Sequence, residues 1–117
     1  MVSCCARRRR RSGVAQAGTI ARLRPEACVY GAGERATGLN LRPGSYRLWN
    51  RDVGGTYGPG ADPLYVCMPV HLCLDEVGSY LVFYDNSQDG IVRLGDEAEA
   101  SSEGGALCCY LVTGTPA

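Results

Sequence analysis

The chain is organised around the stretch from residue 46 to residue 65, which reads Tyr-Arg-Leu-Trp-Asn-Arg-Asp-Val-Gly-Gly-Thr-Tyr-Gly-Pro-Gly-Ala-Asp-Pro-Leu-Tyr. It opens with a short apolar run that carries the only tryptophan, Trp49. A segment rich in Gly, Asp and Pro follows, and a second apolar run begins at Pro63. This order predicts a strand, a long loop and a second strand. Because strands would hold both of its ends, the loop is suited to contact a polar ligand.

On both sides of this stretch, short apolar runs alternate with Gly, Pro, Asn and Asp, which predicts an all-β fold. We expect a partial antiparallel β-sandwich of five or six strands, built from the runs at 28–30, 46–49, 64–75, 80–84, 91–94 and 106–112. The run 64–75 shows little alternation, so we expect both of its faces to be covered. Pro69 lacks a backbone N–H, which predicts a bulge or an edge position there. Residues 95–105 are acidic and are predicted to form a flexible connection.

Length and charge restrict the class of protein. With 117 residues, 45% of them hydrophobic, the chain is one domain or a piece of one. Residues 1–25 carry seven arginines and no acid, whereas the rest carries five arginines and all twelve acids. The folded body is therefore acidic, which argues against nucleic acid as its partner. No apolar run approaches the roughly 20 residues that span a bilayer, so no membrane partner is expected either.

The first 18 residues are predicted to be a disordered Arg-rich lead, because the run Arg7–Arg11 repels itself. The folded domain is then 19–117. An unstructured extension, an organelle transit peptide and a basic arm that contacts an anionic surface all remain open for the lead. The seven cysteines are odd in number and irregularly spaced, which favours mostly free, buried thiols. Such thiols indicate a reducing compartment, and we expect a cytoplasmic location.

Neither a cofactor nor a metal is expected. The segment 31–34, Gly-Ala-Gly-Glu, lacks the third glycine of a dinucleotide fingerprint, since Ala36 stands there, and it reads as a tight turn. His71, the only histidine, would share a strand face with Cys67 and Cys73. A metal site would need a fourth ligand and usually a closer cysteine spacing. We therefore expect His71 to be a packed core residue.

Four motifs occur in a fixed order within residues 30–86: Tyr30-Gly-x-Gly-Glu-Arg35, Tyr46-Arg-Leu-Trp-Asn-x-Asp52, Tyr57-Gly-x-Gly-x-Asp-Pro-Leu-Tyr65 and Tyr80-Leu-Val-Phe-Tyr-Asp-Asn86. Together they resemble the N-terminal, galactose mutarotase-like sandwich domain of glycoside hydrolase family 31, the α-glucosidase group. The resemblance implies a role in carbohydrate metabolism, with an α-glucoside or related oligosaccharide contacted through the 49–62 loop. It places the catalytic aspartates in a (β/α)8 barrel that follows this domain. We therefore assign no catalytic residue and expect this chain to be a fragment without activity of its own.

The resemblance further implies that Asp52 contacts substrate hydroxyls, for which a carboxylate is a good acceptor. From the residues alone, Asp52 would instead cap its own loop backbone. Trp49 is either a core anchor or a stacking platform for a sugar ring. Asn50 and Arg51 are weaker candidates that would brace the loop, and Asp62 reads as a turn residue before a strand. Two other interpretations stay open, namely a standalone carbohydrate- or protein-binding β module and an unstable gene fragment.

Overall fold

The computed structural model describes residues 2–4 and 16–115, and the all-β prediction is confirmed. No helix occurs in these described residues, and hence none that is long and apolar enough to cross a membrane. The strands are β1 (Val2–Cys4), β2 (Gln16–Arg22), β3 (Cys28–Gly33), β4 (Gly44–Arg47), β5 (Cys67–Leu74), β6 (Ser79–Tyr84), β7 (Gly90–Leu94), β8 (Glu97–Ser102) and β9 (Cys109–Gly114).

These strands form two antiparallel sheets stacked as a sandwich. One has the order β1-β9-β6-β5-β3 and the other the order β2-β8-β7-β4. The body measures 40 × 39 × 21 Å. Its shortest dimension fits two layers, because stacked sheets lie about 10 Å apart. The partial antiparallel sandwich is thus confirmed, although the described residues hold more strands than the five or six expected.

The hydrophobic core lies between the sheets and consists of the side chains that alternate inward from each strand. The five-stranded sheet contributes Val29 of β3, His71 and Cys73 of β5, and Val82 and Tyr84 of β6, all of them buried. The four-stranded sheet contributes Tyr46, Val92, Leu94, Ala98 and Ala100. Ala98 and Ala100 of β8 belong to the same buried cluster as Val82 and Tyr84 of the other sheet.

The prediction of a flexible connection at 95–105 is wrong, because β8 occupies its centre. This strand pairs with β2 on one side and with β7 on the other. Ala98, Ala100 and Ser102 point into the core, and Glu99 between them is exposed. Successive side chains of a strand point to opposite faces, and the acidic residues of β8 point away from the core. Their charge therefore does not oppose strand formation.

The prediction that the 64–75 run is covered on both faces is also wrong. Its strand starts at Cys67, and from His71 onward burial alternates, with His71 and Cys73 inside and Leu74 exposed. The bulge expected at Pro69 is confirmed on β5 itself. Between the pairs Gly31–His71 and Gly33–Cys67, Ala32 alone on β3 stands opposite residues 68–70.

The tight turn expected at 31–34 is wrong, because Gly31 to Gly33 belong to β3 and lie opposite this bulge. Gly31 and Gly33 have φ values of +112° and +85°, and a side chain at either would meet the backbone of β5. Both glycines are therefore required by close strand approach and left-handed backbone. Beyond β3, Glu34 donates its backbone N–H to the carbonyl oxygen of Val66, the residue before β5.

Two parts of the lead predicted to be disordered lie in strands. Val2–Cys4 forms β1 at the edge beside β9, and Gln16 to Gly18 begin β2. The remaining residues of the lead, including Arg7–Arg11, lie outside the described residues.

Candidate functional site

Residues 48–66 connect β4 to β5, so this loop is longer than the 49–62 loop predicted from the sequence. Because β4 ends at Arg47, Trp49 lies in the loop and not in a strand. The two arms of this connection are joined near their base. Arg51 donates its backbone N–H to the carbonyl oxygen of Leu64 at 2.8 Å. Asn50 Oδ1 accepts the backbone N–H of Cys67 at 2.6 Å. We call residues 48–66 the β4–β5 loop.

Asp52 is exposed on the first arm of the β4–β5 loop. Its Oδ1 accepts the backbone N–H of Gly54 at 2.8 Å, which is the loop-capping contact expected from the residues alone. Within the part of the chain that the structure describes, Oδ2 accepts no hydrogen bond. The carboxylate is thus oriented by its own backbone and keeps one oxygen directed at solvent.

Trp49 is not a core anchor, since 46% of its surface is exposed. Its ring lies beneath the guanidinium of Arg47, with 5.9 Å from Cζ to the ring centroid. Arg47 Nε in turn donates to both carboxylate oxygens of Asp89, at 2.9 and 3.0 Å. The same pairing holds the pKa of Asp89 below its usual value. An ion pair therefore orients the indole while nearly half of the residue's surface stays exposed.

A cleft of about 280 Å³ adjoins the indole; it is lined by Leu48, Trp49, Asn50, Cys67, Pro69, Asn86, Ser87 and Gln88. An aromatic wall beside amide and hydroxyl groups matches the chemistry of a sugar, which has apolar faces and a polar rim. Asp52 is not part of the lining. Burial raises the pKa of the Cys67 thiol, so this thiol stays protonated at neutral pH.

The weaker candidates brace the loop to different degrees. Asn50 does so through its side chain, which accepts from Cys67. Arg51 does so only through its backbone, because its side chain is exposed. Thus only the side chain of Asn50, of these two residues, helps to hold the loop in place.

An ion pair between Arg35 and Asp62 anchors the loop, and the sequence did not reveal this pair. Asp62 Oδ2 accepts the backbone N–H of Arg47 at 2.6 Å, and its Oδ1 lies 3.0 Å from Arg35 Nη1. Asp62 is therefore an anchor and not merely a turn residue before a strand. The local signal was weak, because the partners lie far apart in sequence and the Asp-Pro pair is a sufficient turn signal by itself.

A second cleft, of about 630 Å³, adjoins the tip of the loop and is lined by Ala36, Thr37, Gly38, Tyr57, Gly58, Pro59 and Gly60. Tyr57 is 50% exposed and meets the Tyr65 ring edge-on at 6.4 Å between centroids. The Tyr65 hydroxyl accepts the backbone N–H of Gly55 at 2.6 Å. The tyrosine pair therefore stiffens the glycine-rich tip of the loop.

His71 is the packed core residue that its apolar strand predicts. It is 1% exposed, and its Nδ1 lies 3.0 Å from the hydroxyl oxygen of Tyr84. Burial lowers its pKa to about 4. Among the described residues, no group of three or more His, Cys, Asp or Glu is arranged to hold a metal ion.

Comparison with known proteins identifies a family and a relative for this chain. Residues 7–92 match the family model described as the glycosyl hydrolase 31 N-terminal galactose mutarotase-like domain. The chain is 32% identical over 88 residues to alpha-glucosidase 2 of Bacillus thermoamyloliquefaciens, an alignment covering 73% of this chain and 11% of that protein. The chain thus spans about a tenth of the length of this relative.

Solved structures show the same fold. The GH31 dextranase of Flavobacterium johnsoniae, complexed with isomaltotriose, superposes with a TM-score of 0.68 at 26% identity, covering 86% of this chain and 12% of that one. The family 31 alpha-glucosidase of Bacteroides thetaiotaomicron, at 20% identity and a TM-score of 0.69, covers 88% of this chain and 17% of its own, and shows the fold alone. With the motifs, the sandwich and the family match in agreement, this chain belongs to the galactose mutarotase-like N-terminal domains of glycoside hydrolase family 31.

Proposed function

We propose that the chain is the carbohydrate-contacting part of an α-glucosidase-type glycoside hydrolase and does not catalyse hydrolysis by itself. The observation that carries the proposal is the β4–β5 loop, which presents an oriented carboxylate and a half-exposed indole on a rigid sandwich. Asp52 Oδ2 is available to accept hydroxyl hydrogen bonds from an α-glucoside or related oligosaccharide. The half-exposed indole of Trp49 suits stacking on a sugar ring.

The F. johnsoniae relative was solved in complexes with isomaltotriose and with glucose, which supports a glucose-containing ligand for this chain. Two carboxyl groups must flank a glycosidic bond for its hydrolysis. Of the two acids in the loop, Asp62 is engaged by Arg35 and by the backbone of Arg47. Asp62 Oδ1 is buried beside Arg35, and only Asp52 has a solvent-exposed oxygen that can accept. The loop can therefore contact a sugar but does not supply a catalytic pair.

A titration with isomaltotriose and maltose, followed by the fluorescence of the single tryptophan, tests the sugar contact. We expect saturable quenching with the starting chain and about tenfold weaker binding with Asp52→Ala, since a charged hydrogen bond is lost. Asp96→Ala is a matched control, because it also removes an exposed carboxylate. Asp96 follows the end of β7 that pairs with the start of β4, whereas the β4–β5 loop leaves from the end of β4. Equal affinities of the Asp52→Ala and Asp96→Ala variants would show that Asp52 does not contact the sugar.

The lack of independent catalysis is tested separately with a nitrophenyl α-glucoside. We expect no turnover by the purified chain above that of the Asp52→Ala variant. Measurable turnover that Asp52→Ala abolishes would overturn the non-catalytic assignment, because it would identify a complete active site within these residues.

We further propose that the outer side of the five-stranded sheet packs against a (β/α)8 barrel in a longer parent protein. This outer apolar face carries Met68, Leu74, Phe83, Tyr110 and Val112, which are 57%, 37%, 37%, 36% and 44% exposed. Phe83 and Tyr110 stack with their centroids 5.9 Å apart. By contrast, Arg93 and Glu99 face each other on the outer side of the other sheet. An exposed apolar surface of this kind marks an interface.

Oxidative footprinting of Met68 tests the barrel contact. The thioether reacts readily when exposed, so we expect fast oxidation in the 117-residue chain and at least roughly tenfold protection in a longer parent protein. Equal oxidation rates in the two proteins would show that the face stays open.

The reducing compartment is retained as a proposal, supported by the free thiols of Cys28, Cys67 and Cys73. Thiol titration of the protein isolated without reductant is the test. We expect these three cysteines to react once the chain is unfolded, and their recovery as disulfides would contradict the proposal.

A further inference from the structure

Arg35 lies where both arms of the β4–β5 loop meet the sandwich. Its side chain is 3% exposed, whereas those of Arg24 and Arg47 are 54% and 48% exposed. Removing a guanidinium from water is unfavourable unless its donors are used. The contacts that compensate this burial therefore indicate what the side chain does.

Those contacts join the two arms. Arg35 Nη2 donates to the carbonyl oxygen of Arg47 at 3.0 Å, at the start of the first arm. Nη1 lies 3.0 Å from Asp62 Oδ1 on the second arm. Nη2 also lies 4.0 Å from the sulfur of Cys67, where β5 begins. One planar group thus bridges the end of β4, the second arm of the loop and the start of β5, which a lysine ammonium lacks the donor geometry to do.

Asp62 closes the arrangement from the other side. Its Oδ2 accepts the backbone N–H of Arg47, so both backbone polar groups of Arg47 are held, the N–H by Asp62 and the carbonyl by Arg35. The side chain of Arg47 then lies over the indole of Trp49. The orientation of Trp49 therefore depends on the Arg35–Asp62 pair two contacts away.

The segment around Arg35 is itself attached to the second arm. Glu34 donates its N–H to the carbonyl oxygen of Val66 at 2.8 Å, and Gly60 donates to that of Ala36 at 2.6 Å. Arg35 projects from the middle of this attachment. Its position is thus determined by backbone bonds that do not involve its own side chain, which makes it a fixed support for the loop.

We infer that Arg35 is a positioning residue for the sugar-contacting loop, an inference that rests on the proposed function. The guanidinium does not touch the sugar; it fixes the backbone that presents Trp49 and Asp52. Among the described residues, Arg35 Nε and Asp62 Oδ1 both lack a hydrogen bond, although the ion pair brings the two groups together. The pair is therefore incompletely compensated and contributes little to net stability. A buried pair of this kind contributes conformational specificity, and here the conformation specified is that of the loop.

The test uses Arg35→Lys, which keeps the charge and loses the planar fork, and the double variant Arg35→Met with Asp62→Leu, which leaves no charge unpaired. Arg24→Met is the matched control, because the Arg24–Asp75 ion pair lies at the opposite end of β5 and does not touch the loop. Trp49 is the only tryptophan, so acrylamide quenching of its emission reports the loop directly.

We expect the quenching constant to rise about twofold in both Arg35 variants, because the indole is 46% exposed when held by the loop. The Arg24→Met variant should retain the starting value. Isomaltotriose affinity should fall about tenfold in the Arg35 variants, since the contacts are misplaced and not removed. The double variant is the form expected to remain folded if Arg35→Lys is not.

The outcomes are separable from those of the proposed function. If the starting chain binds no sugar, the proposed function fails, while quenching still decides the role of Arg35. If Trp49 quenching in the folded Arg35 variants equals that of Arg24→Met, Arg35 does not position the loop. A twofold rise with unchanged sugar affinity would show that the fixed loop is not what the sugar contacts, and would overturn the inference as stated.

Discussion

Lowering the pH should destabilise this protein through His71. The imidazole is 1% exposed, between the two sheets. The rings of Tyr84 and Tyr80 lie 5.6 and 6.4 Å from it, centroid to centroid. The hydroxyl oxygen of Tyr84 is 3.0 Å from Nδ1, and Nε2 has no partner among the described residues. No carboxylate of residues 16–115 contacts the ring, so burial opposes its charge without compensation.

The magnitude follows from proton linkage. The pKa of His71 falls from 6.5 to about 4 on folding, so the unfolded chain binds more protons between these values. Stability is therefore highest above pH 6.5 and is lost as the pH falls toward 4. Moving from pH 7.5 to pH 5 should lower the free energy of unfolding by about 2 kcal/mol. Asp89, whose pKa is lowered from 3.8, adds its own loss only at more acidic pH.

Urea unfolding monitored by Trp49 emission at half-unit steps between pH 5 and 7.5 measures this slope. His71→Gln is the control, because glutamine does not titrate and its amide can still reach the Tyr84 hydroxyl. We expect the starting chain to lose about 2 kcal/mol over this range and the variant to lose a few tenths. Parallel pH profiles for the two proteins would show that His71 is not the titrating group.

Three other perturbations have defined outcomes. Burial raises the pKa of Tyr80 and of Tyr84 above 10, so stability should hold below pH 10 and fall as the pH rises past it, measured by circular dichroism. Gly33→Ala should lower the free energy of unfolding in urea by about 2 kcal/mol, because φ is +85° and the new methyl group would meet the facing strand. Gly58→Ala is the control, because its methyl group would enter open space, and it should change that free energy by less than about 0.5 kcal/mol. The chain should bind the dye anilinonaphthalene sulfonate through its outer apolar face, and Phe83→Lys should reduce that fluorescence about twofold; an unchanged signal would place the dye elsewhere.

Strand positions with branched or aromatic side chains were recognisable from sequence, because such runs fit a half-buried pleated surface. The run 80–84 and the run 91–94 became β6 and β7. β8 was missed although Glu-Ala-Glu-Ala alternates, since alanine and glutamate have little strand preference of their own. That strand forms because β2 and β7 supply hydrogen bonds on both edges, which is a tertiary effect.

The candidate site divides in the same way. The position of the loop, its glycines, and Asp52 and Trp49 within it could be read from residues 46–65, because turn chemistry is local. The exposure of Trp49 was left open, since an indole serves a core and a ligand equally well. Its placement follows from Arg47 and Asp89, which are 42 positions apart in sequence.

The amino-acid sequence by itself determined that the chain is all-β, that a glycine-rich loop lies between two strands, and that His71 is buried, because these follow from local periodicity and composition. Only the tertiary structure decided that β8 pairs on both edges, that Trp49 faces solvent, and that Arg35 and Asp62 hold the loop. The physical reason is distance along the chain: ion pairs and strand pairing join residues whose proximity no local pattern encodes.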